Sequence, residues 1–78
     1  MNVNDTRAAI KALPHMTATR NDGEWRVTIR FQSVAARHPE KSERWCRDKQ
    51  EKMAYYTEDA GDALGTACDM STRWEAAK

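Results

Sequence analysis

The amino-acid sequence predicts an α+β fold in the order α-β-β-β-α, with a three-stranded antiparallel sheet and two helices packed on one face. Residues 24–31, EWRVTIRF, alternate apolar and polar side chains with the period of a half-buried strand. Residues 59–75 instead place small apolar side chains at helical spacing. Because 78 residues can bury one modest core, residues 1–78 are interpreted as a single domain.

The first predicted element is a helix at about residues 4–13. Asn4 or Asp5 can cap its N-terminus, because short polar side chains accept hydrogen bonds from the first free backbone N–H groups. Pro14 is expected to end the helix, since the residue before a proline avoids helical geometry. No apolar run near the N-terminus has the length expected of a signal peptide or a membrane span.

A β-hairpin is predicted at about residues 15–31, with its turn at Asp22 and Gly23. This dipeptide suits a two-residue type I′ turn, in which both central residues adopt positive φ. With these residues as the loop, apolar residues oppose apolar residues in two pairs: Ala18 with Val27, and Met16 with Ile29.

The alternation in the second strand of the hairpin assigns each side chain to a face. The face expected to pack against the helices contains Trp25, Val27, Ile29 and Phe31. Thr28 falls on the other face, which is expected to be exposed to solvent.

Residues 32–52 hold six Lys or Arg and four Asp or Glu around Pro39, and their structure has two interpretations. The segment is either a long mobile loop or a loop with a short helix after Pro39. Trp45 argues against complete disorder, because so large an apolar ring usually packs against a surface.

A third strand is predicted at about residues 53–57, MAYYT, followed by a helix at about residues 59–75. The strand would place Tyr55 and Tyr56 on opposite faces, and Thr57 or Asp59 would cap the helix. The helix face expected to pack on the core contains Ala60, Ala63, Leu64, Ala67, Cys68, Ser71 and Trp74. The pattern requires no contact between the tyrosines and the acidic residues that follow them.

Catalytic and metal sites have little support in the sequence. His15, His38, Cys46 and Cys68 are separated by 23, 8 and 22 residues, without the close ligand pair typical of zinc sites. Cys46 and His38 lack a third group to orient them as a nucleophile and base. We therefore expect no enzyme, no metal and no cofactor, and two reduced thiols in a cytoplasm.

Charge is distributed unevenly along the chain. Residues 1–52 hold eleven Lys or Arg against seven acids, whereas residues 53–72 hold four acids and no basic residue. These charges either form ordinary solvated surfaces or mark two binding faces of opposite sign. The acidic candidates for partner binding are Glu58, Asp59, Asp62 and Asp69. The candidates in the basic segment are Arg37, Lys41, Arg44, Arg47 and Lys49, together with Trp45.

The predicted element order resembles that of double-stranded RNA binding domains and HicA-type toxins. In the RNA-binding domains the last helix begins with basic residues, whereas here it begins with the acidic TEDAGDALGTA; the Gly-Ser-His context of the toxins is absent. A resemblance to small accessory proteins of phages and mobile elements extends over about half of the chain. Its pattern is Arg26-Val27-Thr28, Ala54-Tyr55-Tyr56-Thr57, Asp59, Asp62-Ala63-Leu64, Thr66-Ala67 and Met70. The resemblance implies a mobile-element origin in a class that includes anti-CRISPR proteins, and no catalytic residue.

These observations lead to one functional hypothesis and two alternatives. The hypothesis is a non-enzymatic inhibitor or adaptor of a host protein complex, specifically an anti-CRISPR protein acting on a CRISPR effector in the bacterial cytoplasm. Its acidic helix would occupy a site that normally holds nucleic acid. The first alternative is a nucleic-acid-binding or regulatory module that uses basic residues 37–52, and the second is a structural homodimer. No membrane partner is expected.

Overall fold

The computed structural model describes residues 2–77, within which the chain forms four helices and three strands. In chain order these are α1 (Val3–Ala12), β1 (Met16–Asn21), β2 (Glu24–Ile29), α2 (Phe31–Arg37), α3 (Glu43–Met53), β3 (Tyr55–Thr57) and α4 (Ala60–Ala76). The strands form one antiparallel sheet in the order β1-β2-β3. The α+β class and the three-stranded sheet are therefore confirmed, but the arrangement of two helices is only partly right.

Helix α1 begins at Val3, one residue before the predicted start, and its N-cap is not one of the two predicted residues. Its N-cap is Asn2, whose side-chain oxygen accepts a hydrogen bond of 2.8 Å from the backbone N–H of Asp5. Asn4 and Asp5 lie within the helix. The helix ends at Ala12, ahead of Pro14. This is expected, because a proline disfavours helical geometry in the residue that precedes it.

The hairpin has the predicted register, with Met16 opposite Ile29 and Ala18 opposite Val27. Asp22 and Gly23 have φ values of 52° and 81°, the positive values that a type I′ turn requires. The turn twists the two strands in the sense that β-sheets prefer, and so fixes which side chains share a face.

One face of the sheet is covered by α1 and α4. The buried side chains of this core come from both strands of the hairpin, from both helices and from α2 and α3: Ile10, Met16, Ala18, Trp25, Val27, Ile29, Val34, Cys46, Ala63 and Ala67. Phe31, predicted to extend the apolar face of β2, instead begins α2 and is half-buried. Cys68, predicted to face the core, is exposed, because only a narrow strip of α4 through Ala63, Ala67 and Ser71 is buried.

The charged segment 32–52 is largely helical. Helix α3 follows Pro39, as one of the two interpretations held, and α2 precedes it. The N-cap of α3 is Ser42, whose hydroxyl accepts a hydrogen bond from the backbone N–H of Trp45. Met53, assigned to a strand from the sequence, is the last residue of α3, and β3 contains only Tyr55–Thr57.

Helix α3 changes the environment of Thr28. The prediction that this residue faces solvent is wrong: Thr28 is fully buried, and its hydroxyl donates a hydrogen bond of 2.7 Å to the backbone carbonyl of Gln50. Gln50 belongs to the last turn of α3, where carbonyl groups lack a donor within the helix. A strand pattern alone does not reveal a helix that packs on the second face.

None of the helices in residues 2–77 combines the length and the apolar run that a membrane span needs.

A pair of substitutions tests the contact between Thr28 and α3. Thr28→Val keeps the β-branched shape but leaves the Gln50 carbonyl without its donor, so we expect a loss of about 1–3 kcal/mol in the free energy of unfolding. Thr17 pairs with Thr28 across the hairpin, is half-buried and serves as the matched control. Thr17→Val should change stability by less than about 0.5 kcal/mol. Urea unfolding of both variants checks this, and equal losses would contradict the assigned role of Thr28.

Candidate functional site

Strand β3 lies at an edge of the sheet and carries two exposed tyrosines. Tyr55 pairs with Val27 and Tyr56 with Arg26, so the two rings lie on opposite faces, as the sequence predicts. The exposed fractions are 38% for Tyr55 and 45% for Tyr56. Large aromatic side chains with this exposure on a short edge strand are available to a binding partner.

Each tyrosine hydroxyl donates a hydrogen bond to a carboxylate. Tyr55 donates to Oδ2 of Asp62 at 2.6 Å, and Tyr56 donates to Oε1 of Glu51. Tyr55 therefore contacts one of the acidic residues that follow it, Asp62, although the sequence pattern did not require this contact. The contact with Asp62 forms because α4 begins shortly after β3 and runs back past it.

Glu51 also binds Arg26 on the face of the sheet that carries Tyr56. Its Oε2 atom lies 3.0 Å from Nε and 2.8 Å from Nη2 of Arg26. One carboxylate thus accepts hydrogen bonds from a guanidinium and a phenol. The positive charge of Arg26 is balanced by Glu51 and is not available to other acids nearby.

These hydrogen bonds shift the pKa values of the groups that form them. The hydroxyl of Tyr56, and then Arg26, lower the pKa of Glu51 below its ordinary value. Tyr55, and then Thr57, lower the pKa of Asp62. The pKa values of Tyr55 and Tyr56 are raised mainly by the same hydrogen bonds to Asp62 and Glu51. At neutral pH the site therefore presents ionised carboxylates and protonated phenols.

A polar depression of about 470 Å³ adjoins Tyr56 on the same face of the sheet. Three acidic residues line it, Asp22, Glu24 and Glu58, and its one basic residue is Arg26. Because Arg26 is bound by Glu51, the depression has a negative charge. We define the acidic tyrosine surface as the sheet edge at β3 with both of its faces: Tyr55 and Asp62 on one face, and Tyr56, Asp22, Glu24, Glu51 and Glu58 on the other.

The acidic residues singled out in the sequence have different structural roles. Glu58 and Asp62 belong to the acidic tyrosine surface. Asp59 caps α4, accepting hydrogen bonds from the backbone N–H groups of Gly61 and Asp62, as one of the predicted alternatives held. Asp69 lies two turns further along α4 and forms an ion pair of 3.1 Å with Arg73. Sequence reasoning missed Asp22, Glu24 and Glu51 because only the fold places them beside the tyrosines.

The basic candidates are mostly stacked on aromatic rings. The guanidinium of Arg37 lies 3.8 Å from the ring centre of Trp74, and that of Arg47 lies 4.7 Å from the ring centre of Phe31. The ammonium of Lys41 lies 5.1 Å from the ring centre of Trp45. Arg44 is exposed and Lys49 is half-buried. Trp45 is half-buried and packs edge-on against the His38 ring at 4.8 Å. The segment does not form one continuous row of free cations.

The two histidines and two cysteines do not form one cluster, because each contacts different residues. His15 lies 2.9 Å from the Ser33 hydroxyl and 2.6 Å from the Glu75 carboxylate. Cys46 is buried in the core, and Cys68 is exposed on α4. Across residues 2–77 the structure contains no group of three or more His, Cys, Asp and Glu side chains placed to hold a metal ion.

Comparisons of this chain with protein-family models, curated proteins and solved structures gave no match.

The two tyrosine–carboxylate contacts can be separated by NMR titration of the carboxyl groups. Tyr55→Phe should raise the pKa of Asp62 towards the ordinary aspartate value of about 3.9 and leave Glu51 unchanged. Tyr56→Phe should raise the pKa of Glu51 and leave Asp62 unchanged. Because the folded pKa of each acid is depressed, the stabilisation is complete above its unfolded pKa and is lost as the pH falls through the folded pKa. Equal shifts of both acids in either variant would contradict the paired geometry.

Proposed function

We propose that this protein is a small non-enzymatic inhibitor or adaptor that binds a basic surface of a host protein complex through its acidic tyrosine surface. The observation that carries the proposal is the pair of exposed tyrosines, each of which hydrogen-bonds a carboxylate. The conclusion concerns binding, because the surface offers ionised acids and aromatic area without a nucleophile and base in contact.

Tyrosine is well suited to a binding surface of this kind. It supplies a large contact area with few rotatable bonds, and it is enriched among residues that dominate binding energy. Here the hydroxyls of Tyr55 and Tyr56 already form hydrogen bonds with Asp62 and Glu51. These bonds restrict the motion of each ring and each carboxylate before a partner binds. Less conformational entropy is then lost on binding.

The sign of the charge indicates the chemistry of the partner. Asp22, Glu24 and Glu58 line the depression beside Tyr56, and its single guanidinium is balanced by Glu51. A lysine or arginine side chain of a partner can enter this depression and meet carboxylates. Surfaces that bind nucleic acid carry such side chains, so an acidic protein surface can compete there with the phosphate backbone.

A CRISPR effector is the specific host complex that we propose, with the bacterial cytoplasm as the site of action. This part of the proposal rests on the resemblance to phage and mobile-element accessory proteins. The AYYT segment of that resemblance, Ala54–Thr57, supplies β3 and both tyrosines of the surface. The resemblance and the geometry therefore point to the same short segment.

Competition with DNA tests the proposal directly. A purified CRISPR effector with its guide RNA would be incubated with labelled target DNA and increasing amounts of this protein, and DNA retention measured. We expect the protein to displace DNA, and the double variant Glu24→Lys/Glu58→Lys to inhibit at least about tenfold less. Glu40→Lys makes a charge reversal in the loop between α2 and α3, outside the acidic tyrosine surface, and should retain inhibition.

Three outcomes would contradict the proposal in that experiment. They are failure to inhibit effectors of several types, full inhibition by the double variant, and an equal loss with Glu40→Lys. Circular dichroism melts of the variants establish that each one is folded before inhibition is compared.

Nucleic-acid binding through residues 37–52 is the alternative, and the contacts of that segment give it less support. Arg37, Lys41 and Arg47 lie over aromatic rings, so they are less free to follow a phosphate backbone. A gel-shift titration at low salt distinguishes the two proposals, because phosphate-driven binding is strongest there. Retardation of DNA or RNA by this protein alone would favour the alternative.

A further inference from the structure

A second concave surface, with a character opposite to that of the acidic tyrosine surface, lies between α3, α4 and the C-terminal end of α2. It is a groove of about 450 Å³. We propose that this cationic groove binds an acidic peptide segment of a protein partner, with one apolar side chain of that segment inserted between α3 and α4. The proposal goes beyond the proposed function, because it concerns a different surface and a partner of opposite charge.

The apolar part of the groove is formed by Met53 of α3 and by Met70 and Trp74 of α4. All three side chains are half-buried and pack against the hydrophobic core. Methionine side chains are flexible and polarizable, so such a surface can adapt to an inserted leucine, phenylalanine or similar group. The apolar area accounts for an anchor residue but does not by itself identify the partner.

The charged rim of the groove indicates the chemistry of the partner. Arg37, Lys49 and Arg73 line it, and none of its described lining residues is acidic. Among residues 2–77, no acidic side chain forms an ion pair with Lys49 within 4.0 Å. The pair of Arg73 with Asp69 is exposed, and exposed pairs of this kind are weak enough for a partner's carboxylate to compete. An apolar groove bordered by three cations is complementary to an acidic segment with an apolar anchor.

The arrangement of Trp74 favours a peptide over a nucleic acid. Proteins that bind single strands stack bases on exposed aromatic rings. Here the guanidinium of Arg37 lies 3.8 Å from the centre of the Trp74 ring and covers that face. The remaining apolar lining consists of aliphatic and thioether groups. Such groups make favourable van der Waals contacts with an apolar side chain of a peptide.

Fluorescence anisotropy with defined peptides tests this inference. The probe is a labelled ten-residue peptide of Asp and Glu with one central leucine. Two matched peptides replace the leucine by serine or all acids by glutamine and asparagine. We expect binding of the acidic leucine peptide, and at least about tenfold weaker binding of each matched peptide.

Protein variants then locate the binding site. Lys49→Glu and Arg73→Gln should each weaken the acidic leucine peptide several-fold. Arg44→Glu makes the same charge change as Lys49→Glu on the same helix, but Arg44 is exposed and does not line the groove. It should bind the peptide almost as well as the unaltered protein. Arg73 is largely exposed, with 79% of its side chain accessible, so its substitution should not disturb folding. Arg73→Gln therefore still tests the groove if Lys49→Glu fails to fold.

Four results would overturn the inference: no binding of the acidic leucine peptide, equal binding of the glutamine–asparagine peptide, equal losses in Arg44→Glu and Lys49→Glu, or displacement of the peptide by a ten-nucleotide thymidine strand. The last result would assign the groove to nucleic acid. Because Lys49 does not belong to the acidic tyrosine surface, a folded Lys49→Glu variant should still displace DNA from an effector that the unaltered protein inhibits. Failure of one proposal is therefore distinguishable from failure of the other.

Discussion

The docking of α3 on β2 is the interaction on which both candidate surfaces depend. Strand β3 pairs with β2 only from Trp25 to Val27, so the last two residues of β2 extend beyond it. Gln50 occupies this position: its backbone carbonyl accepts the Thr28 hydroxyl, and its side-chain amide donates a hydrogen bond of 2.8 Å to the carbonyl of Ile29. A side chain thus takes the place of a missing strand partner and satisfies a backbone group that would otherwise be left unpaired.

The same helical turn then sends neighbouring residues to opposite surfaces. Glu51 binds Arg26 and Tyr56 and so orders part of the acidic tyrosine surface. Lys49 and Met53 line the cationic groove. A small domain with one core can present two faces of opposite charge in this way, because a single docked helix separates them. The formal net charge of +1 conceals this separation.

The sequence was sufficient to predict the elements that depend on local patterns. The hairpin has a two-residue period and an Asp-Gly turn, so its register follows from residues that are close in the chain. Helices α2 and α3 were less predictable, because ten charged residues in segment 32–52 leave few apolar positions to show a helical period. Of that segment, Val34 and Cys46 are fully buried. Tertiary packing therefore determines these helices more than their own pattern does.

The acidic residues of the candidate site were predictable only where they lie at or just before the start of α4. Glu58 and Asp62 stand out in the sequence as acids near a helix start. Glu51 reaches Arg26 from 25 residues away, a contact that no local pattern contains. Thr28 was misassigned for the same reason, because the helix that covers it is 22 residues distant in the chain. A period of two assigns side chains to faces, but it does not establish which faces are covered.

Amide hydrogen exchange of a Gln50→Ala variant tests most directly whether docking of α3 organises the two surfaces. Alanine favours helix, so any loss of protection in α3 arises from lost docking and not from helix propensity. We expect faster exchange in α3 and in β3, which follows it, while the amides that bond β1 and β2 to each other keep their protection. Unchanged exchange in α3, or an equal loss of protection throughout the chain, would contradict the account.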